Sequence, residues 1–353
     1  MNKLPITLGI IGGGMIGLRH LENLVADPRV KVQWLADVSK KTLEVAAQKY
    51  NLPKVTTDYQ DTLADSTVDA VCICTPPAFH AEQAVAAMKA GKHIMLEKPL
   101  ATCSQDVVRI LDESRRHPKL MITECSARHA RINPKFKAIK EIIDSGRLGK
   151  VYYVHHVAVA RQKRSGIEWN PTAKWFLDRD ISGGGPLFDF GVYDLSFHLG
   201  ILGEPDLVSI CGGFCANRLD CVEPATTRFT VEEHGAVLME FQGGVKYFWE
   251  RASNAHNSTL NETKIYGTLG GLKFGYCTWD SPEITFYYVG DGGKGKAMEE
   301  IITVDASHCK SDLAEFDRAF VDALVGEGPV PMPLDLAAKN YSIIQQVYNS
   351  AGW

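Results

Sequence analysis

Three glycines and one aspartate set out the first chemistry that this 353-residue chain could perform. Gly12, Gly14 and Gly17 of GIIGGGMIG stand in GxGxxG spacing, with Met15 and Ile16 between the last two, and Asp37 follows 20 residues after Gly17. A dinucleotide pyrophosphate calls for this arrangement. One glycine turns the chain tightly, a second lets the backbone approach the phosphates, and a third packs helix against strand. Free N–H groups and the dipole at the start of the next helix then favour negative charge. Asp37 can accept both hydroxyls of an adenosine ribose and would repel a 2′-phosphate, which predicts NAD. NADP stays open, because Ser39 and Lys40 lie just beyond Asp37 and can meet a phosphate if the loop turns inward. The competing reading is a plain glycine turn with Asp37 as a helix cap. In a chain with 31 glycines the pattern alone says little, and its context of strand, helix and distant acid decides in favour of the nucleotide.

Three further segments carry reactive side chains. CTPPAFH, with Thr75, Pro76 and His80, follows an apolar run and so falls at the carboxyl end of a strand, where open α/β sheets bind ligands. LEKPL supplies Glu97, Lys98 and Pro99 at the end of the next run. A lysine beside a nicotinamide can hydrogen-bond a substrate hydroxyl and help its proton leave, and Pro99 would fix the loop that aims it. A solvated surface lysine is the alternative. In GGGPLFDFGVYDLSFHLGILG, residues 183–203, Asp189 and Tyr193 are four apart, as are Asp194 and His198, so each pair shares a face of the predicted helix. A carboxylate orienting a tyrosine near a lysine is a workable general base for an alcohol proton. A free tyrosine ionises only near pH ~10, so the ammonium of Lys98 and a cationic nicotinamide would be needed to favour the phenolate. The same segment reads equally well as a capping loop and a core tyrosine. Arg161, Lys163, Arg164, Trp169 and Trp175 fill the preceding loop, where aromatic and guanidinium groups could select a substrate or merely cover the surface. Asp194 and His198 are further substrate-binding candidates, although His198 could simply be satisfied by Asp194. His155 and His156 point to opposite sides of an alternating strand, and Glu124 and Arg128 follow the last strand of the first part.

The elements that must position these residues fall into two groups. Up to about residue 125, short apolar runs (6–11, 30–36, 70–74, 93–96, 120–123) alternate with helical stretches (15–26, 40–50, 78–90, 104–117). This predicts a doubly wound parallel sheet, a Rossmann domain over 1–125. Residues 126–353 read as a second, α+β domain: a helix over 134–144, a strand over 151–160, a helix over 184–202, successive strands from 206 to about 304, and two closing helices. Its sheet is expected to be large, open and mainly antiparallel, with helices on one face.

Composition narrows the function. Thirty-eight Lys+Arg against 42 Asp+Glu, with no run of one sign, leaves no basic footprint for nucleic acid or an anionic membrane. Neither a signal peptide nor an apolar run of the roughly 18 residues that span a bilayer is visible. The nine cysteines are scattered without CxxC pairs, so reduced, mostly buried thiols in the cytoplasm are expected and no metal site is assigned.

Together, GxGxxG with its aspartate, TPPxxH, EKP, RINP (131–134), DSGRLGKV (144–151) and GGGxLxDxGxY resemble the Gfo/Idh/MocA family of oxidoreductases. The resemblance is strong over 5–147 and 183–203 and vague beyond 206. It implies an NAD(P)-dependent dehydrogenase of a sugar, glycoside or polyol hydroxyl, with Lys98 as the family's lysine and Asp189 as its aspartate. Where members usually carry histidine, this chain has Tyr193, as do those that resemble glucose–fructose oxidoreductase, pentose dehydrogenases and dihydrodiol dehydrogenases, in which the tyrosine moves the proton. Ser196 replaces a frequent aspartate, which sets aldose or glycoside chemistry ahead of inositol chemistry. The resemblance also implies a homodimer or homotetramer formed through the second domain's sheet. Two alternatives stand beside the dehydrogenase: a glycosidase or lyase that uses NAD transiently, and a non-catalytic NAD(H) sensor.

Overall fold

The computed structural model describes residues 4–161, 173–217, 228–307, 309 and 311–353. They form two compact units: Met1–Arg128 with Asp180–Gly183 and Lys310–Lys339, and His129–Arg179 with Gly184–Cys309 and Asn340–Trp353.

The first unit runs β1 (Ile6–Ile11), α1 (Met15–Val25), β2 (Val30–Ala36), α2 (Lys40–Tyr50), β3 (Lys54–Thr56), α3 (Tyr59–Ala64), β4 (Ala70–Ile73), α4 (His80–Lys89), β5 (His93–Leu96), α5 (Ser104–Arg116) and β6 (Ile122–Glu124). The sheet is parallel throughout, in the order β3-β2-β1-β4-β5-β6. β1 and β4 are apolar or glycine-and-threonine runs buried along their whole length, as strands covered on both faces must be. Helix starts are fixed locally: Ser39 Oγ accepts the Thr42 N–H at 3.2 Å, and the Asp58 carboxylate accepts that of Gln60 at 2.9 Å. The sequence reading passed over β3 and α3, which are three and six residues long and too short for either periodicity to register. Strand order reverses at β1/β4, so ligand-binding loops are expected at the carboxyl ends beside it.

The helix Asp312–Val325 also belongs to this unit, although a single domain was expected over 126–353. It buries Phe316, Phe320 and Val321, and Asp317 pairs with His20 on α1 while Asp322 pairs with Arg29.

The second unit contains α6 (Pro134–Asp144) and an eight-stranded sheet: β7 (Val151–Val159), β8 (Leu207–Ala216), β9 (His234–Phe241), β10 (Val245–Ala252), β11 (Thr259–Gly267), β12 (Gly270–Phe274), β13 (Glu283–Val289) and β14 (Ala297–Thr303). The order is β14-β13-β12-β11-β7-β10-β9-β8, antiparallel except for the parallel pair β7/β10. Alternation on β10 buries Tyr247, Trp249 and Arg251 on one face and sets Lys246, Phe248 and Glu250 on the other. After α7 (Arg179–Ser182), the single helix expected over 184–202 is two: α8 (Pro186–Asp189) and α9 (Gly191–Ile201), meeting at Phe190. α9 is apolar nearly all round and wholly buried. The helix Leu334–Ser350 contributes residues to the first unit as far as Lys339 and to the second from Asn340.

Among the described residues, no helix is long and apolar enough to cross a membrane, and none of the eight described cysteines is in a disulfide. Cys72, Cys74, Cys125 and Cys277 are buried, Cys211 is exposed, and Cys221 lies outside the described residues.

Candidate active site

In the first unit, the turn after β1 has the shape a pyrophosphate requires. Gly12 takes φ +99°, and a Cβ there would stand 2.7 Å from the Cys74 carbonyl carbon; one on Gly17 would stand 1.9 Å from the Gly12 oxygen. Gly14 is different. It is exposed, nothing lies within 4 Å of its Cβ position, and it begins α1 without a side-chain cap. The helix thus meets open space with uncapped N–H groups, which suits a phosphate. Met15 is exposed beside it and Ile16 half-buried. At the tip of β2, Asp37 accepts the Gly13 N–H at 2.6 Å and the Ser39 N–H at 2.7 Å. One carboxylate oxygen is thereby fixed to each side of the pocket rim, with lone pairs left for hydroxyl donors.

The next two carboxyl-end loops are tied together. His80 Nε2 lies 2.8 Å from the Thr75 carbonyl oxygen and Nδ1 2.9 Å from that of Pro99, so one imidazole joins the TPP loop to the EKP loop. His80 is fully buried, and burial lowers its pKa. It is therefore a strut between loops and not the cofactor contact expected. Thr75 and Pro76 stay half-buried at the loop, with Thr75 Oγ1 donating to Gln83 at 2.6 Å.

Glu97 needs the same correction. Only 4% exposed, it accepts the Lys98 backbone N–H at 2.9 Å, a hydrogen bond from Arg128 Nη1, and one from His20 Nε2 at 3.1 Å. His20 Nδ1 lies 2.5 Å from Asp317, whose other oxygen takes the Asn23 amide at 2.7 Å. Burial opposes the charge on Glu97, but Arg128, His20 and Lys98 outweigh it and hold the carboxyl well below its usual range. Burial likewise works against the His20 imidazolium, and Asp317 overcomes it and raises the pKa. Glu97 thus positions Lys98, which is half-buried and precedes Pro99 through a cis peptide.

In the second unit, Asp189 ends α8 and Tyr193 lies in the first turn of α9, both on the loop-and-helix segment led by the glycines. Glu232 holds that segment: its carboxylate accepts the Gly185 N–H at 2.8 Å, the Leu187 N–H at 3.0 Å and the Tyr348 hydroxyl at 2.9 Å. A Cβ on Gly185 would stand 1.9 Å from the Glu232 carbonyl oxygen, so only glycine lets the two strands of chain meet. Tyr193 is 1% exposed, its ring edge-on to His129 at 4.7 Å and to Phe190 at 5.0 Å.

Asp194 and His198, expected to touch substrate, do not reach a surface; both are fully buried. Arg251 clasps Asp194 with two bonds of 2.6 Å, Trp249 Nε1 donates to it at 2.8 Å, Tyr276 at 2.6 Å, and His156 stands 3.1 Å away. Burial raises the Asp194 pKa, but the charges of Arg251 and His156 bring it well below the ordinary value. His198 is bonded to the Tyr247 hydroxyl at 2.8 Å and to Thr263 Oγ1 at 2.9 Å, and burial with the neighbouring His156 lowers its pKa. Arg161 is exposed, Trp175 is half-buried and stacks on Phe176 at 3.9 Å, and Trp169, Lys163 and Arg164 lie outside the described residues.

Residues 6–124 match the Gfo/Idh/MocA "Oxidoreductase family, NAD-binding Rossmann fold", and residues 136–273 match the C-terminal domain of the same family. The chain belongs to the Gfo/Idh/MocA family of oxidoreductases. Among its relatives is a D-glucoside 3-dehydrogenase of Escherichia coli (strain K12), 28% identical over 98% of this chain and 94% of its own. A levoglucosan dehydrogenase of Pseudarthrobacter phenanthrenivorans is 25% identical over 80% of this chain and 76% of its own. A solved levoglucosan dehydrogenase in complex with NADH and levoglucosan shares the fold, with a TM-score of 0.82 at 20% identity over 98% of this chain and 97% of that one.

Several residues that hold these segments of the family member in place escaped the sequence reading. His20, three residues beyond Gly17, could have been noticed as a polar group on the inner face of α1. Asp317, Arg251 and Glu232 could not, since their partners lie 297, 57 and 47 residues away in sequence.

Proposed function

We propose that this chain is an NAD-dependent dehydrogenase that exchanges a hydride between nicotinamide and a neutral sugar, glycoside or polyol hydroxyl, or the matching keto compound. Bound nicotinamide supplies the hydride acceptor. Gly12, Gly14 and Gly17 would receive its pyrophosphate and Asp37 its adenosine ribose, which favours NAD over NADP. From the first unit Lys98 holds the substrate oxygen and stabilises its developing negative charge. Within the second unit Tyr193 is the general base and Asp189 the residue that orients it. The observation that carries this reading is the Glu97 assembly: three buried charged side chains, fixed to one another, hold the backbone of a single lysine at the carboxyl edge of a dinucleotide sheet. The glucoside and levoglucosan dehydrogenases among the relatives support the substrate class.

The outer face of the second unit's sheet supports a homodimer or homotetramer. It carries an aromatic stripe, His155 stacked on Phe248 at 5.1 Å and Tyr153 on Tyr266 at 5.4 Å, with Val208, Phe214, Tyr287 and Ile301 exposed. A cytoplasmic location fits the free use of a nicotinamide cofactor. Screening aldoses, glycosides, inositols and keto-sugars with NAD(H) and NADP(H), read by nicotinamide absorbance, tests the activity; no change with any of them overturns it. Sedimentation of the purified protein tests the assembly, and a monomer at micromolar concentration overturns that part.

A further inference from the structure

Trp279 stands at the tip of the 275–282 connection between β12 and β13 with 61% of its surface exposed. Burying an indole removes 150–250 Å² of mostly apolar surface from water, so a loop free to move would fold it in. This loop is not free to move. Lys135 Nζ, itself buried, donates to the carbonyls of Gly275 at 2.7 Å and Cys277 at 3.0 Å, and buried Asn133 donates to that of Tyr276 at 2.5 Å. Asp280 accepts the Cys277 N–H and the Asn261 amide, each at 2.9 Å. A Cβ on Gly275 would stand 2.7 Å from Asp280, so the turn is also closed sterically.

The indole held out in this way borders the proton-transfer residue. Its ring meets His129 edge-on at 5.0 Å and Phe190 at 6.2 Å, and both of those rings meet Tyr193. Arg251 lies 4.5 Å from the Phe190 ring and is committed to Asp194. Such a wall offers π faces to a ligand.

We propose that Trp279, backed by His129, is a specificity-determining platform on which the apolar face of a neutral six-membered ring stacks, so that the enzyme takes pyranosides and cyclitols in preference to open-chain polyols. A pyranose with equatorial hydroxyls directs its axial C–H bonds alternately to its two faces, which makes each face apolar, and the electron-rich face of an indole attracts those polarised hydrogens as it attracts a ring edge. The hydroxyls remain at the rim, and Tyr193 lies one ring further in, behind His129 and Phe190. The inference rests on the dehydrogenase reading above and deepens it.

Steady-state kinetics of the holoenzyme with methyl β-glucopyranoside, scyllo-inositol and sorbitol test it. Trp279→Ala should raise KM for the two rings about tenfold or more with kcat within about threefold, and leave KM for sorbitol unchanged. Trp279→Phe should recover most of the loss. NADH affinity and sedimentation should match the parent protein. Equal KM for ring substrates in Trp279→Ala, an equal loss on sorbitol, or a changed oligomeric state overturns the platform and leaves the dehydrogenase reading standing. If the parent protein turns over none of these compounds and none of the wider panel of aldoses, glycosides, inositols and keto-sugars, the dehydrogenase reading fails. Saturation-transfer NMR on the NADH-loaded protein then still decides the platform, which requires ring binding in the parent and its loss in Trp279→Ala.

Discussion

Lys98 stands next to a carboxylate that accepts its backbone N–H and is itself held by Arg128 and His20. Position and chemistry are thus divided between neighbours, and substitutions should separate them. Lys98→Ala and Tyr193→Phe are expected to cut turnover by roughly 10²–10⁴ while NADH affinity, followed by fluorescence titration, stays near that of the parent. Glu97→Ala removes no reacting group, yet it takes a carboxylate partner from the buried Arg128 and His20. Its expected mark is a loss of roughly 3–5 kcal/mol in urea unfolding together with lower turnover. Asp37→Ala should weaken NAD and admit NADP, read as a fall in the NAD/NADP ratio of kcat/KM; an unchanged ratio would mean that Asp37 only pins Gly13 and Ser39. At this scale the glycines and Asp37 were legible because their meaning is local spacing. Asp194 and His198 were misread because their fate is decided by Arg251 and Tyr247, strand residues that only the tertiary fold brings to α9.

The glycine loop and α8 depend on one side chain from outside the segment. With Gly185 and Leu187 both donating to Glu232, and no room for a Cβ at Gly185, the start of α8 is fixed from the side of β9. Gly185→Ala should therefore abolish turnover while the first unit still binds NADH, a split that activity and fluorescence assays resolve together. Burial pushes the Glu232 carboxyl up to about 7 from an ordinary 4.5, and that of Glu124 similarly to about 7. Between those limits the folded chain holds protons that the unfolded chain has released, so stability should fall as pH rises from about 4.5 to 7 and level off above. Glu232→Gln should flatten part of that slope in thermal melts; an unaltered slope would show that Glu232 does not titrate there. Most helices and strands were readable from periodicity, and the exceptions are physical. β3 and α3 span fewer than two periods, and the interruption at Phe190 comes where Gly191 lies against Trp249, 2.3 Å from a built Cβ.

On the scale of the whole molecule, each unit contains a buried carboxylate whose charge is set by buried cations, Glu97 in the first and Asp194 in the second. Both have folded pKa values depressed below 4.5 and 3.8, so the stability they contribute is complete above those values and lost as pH falls through the depressed ones. Acid titration followed by circular dichroism should show stability declining from about pH 4.5 downward, and a flat response to pH 2 would contradict the ion pairing. The division into units was only half legible. The change from parallel to antiparallel pattern near residue 126 is written in the local sequence, whereas the return of Asp312–Val325 to α1 depends on a contact between His20 and Asp317. That return has a consequence for biosynthesis. The nucleotide-binding half begins to emerge from the ribosome first but is completed only after most of the other half has been made, because Lys310–Lys339 follows residues 129–309. For roughly ten to forty seconds at ordinary elongation rates, α1 would wait with an imidazole and an apolar flank uncovered, a nascent-chain state suited to chaperone capture.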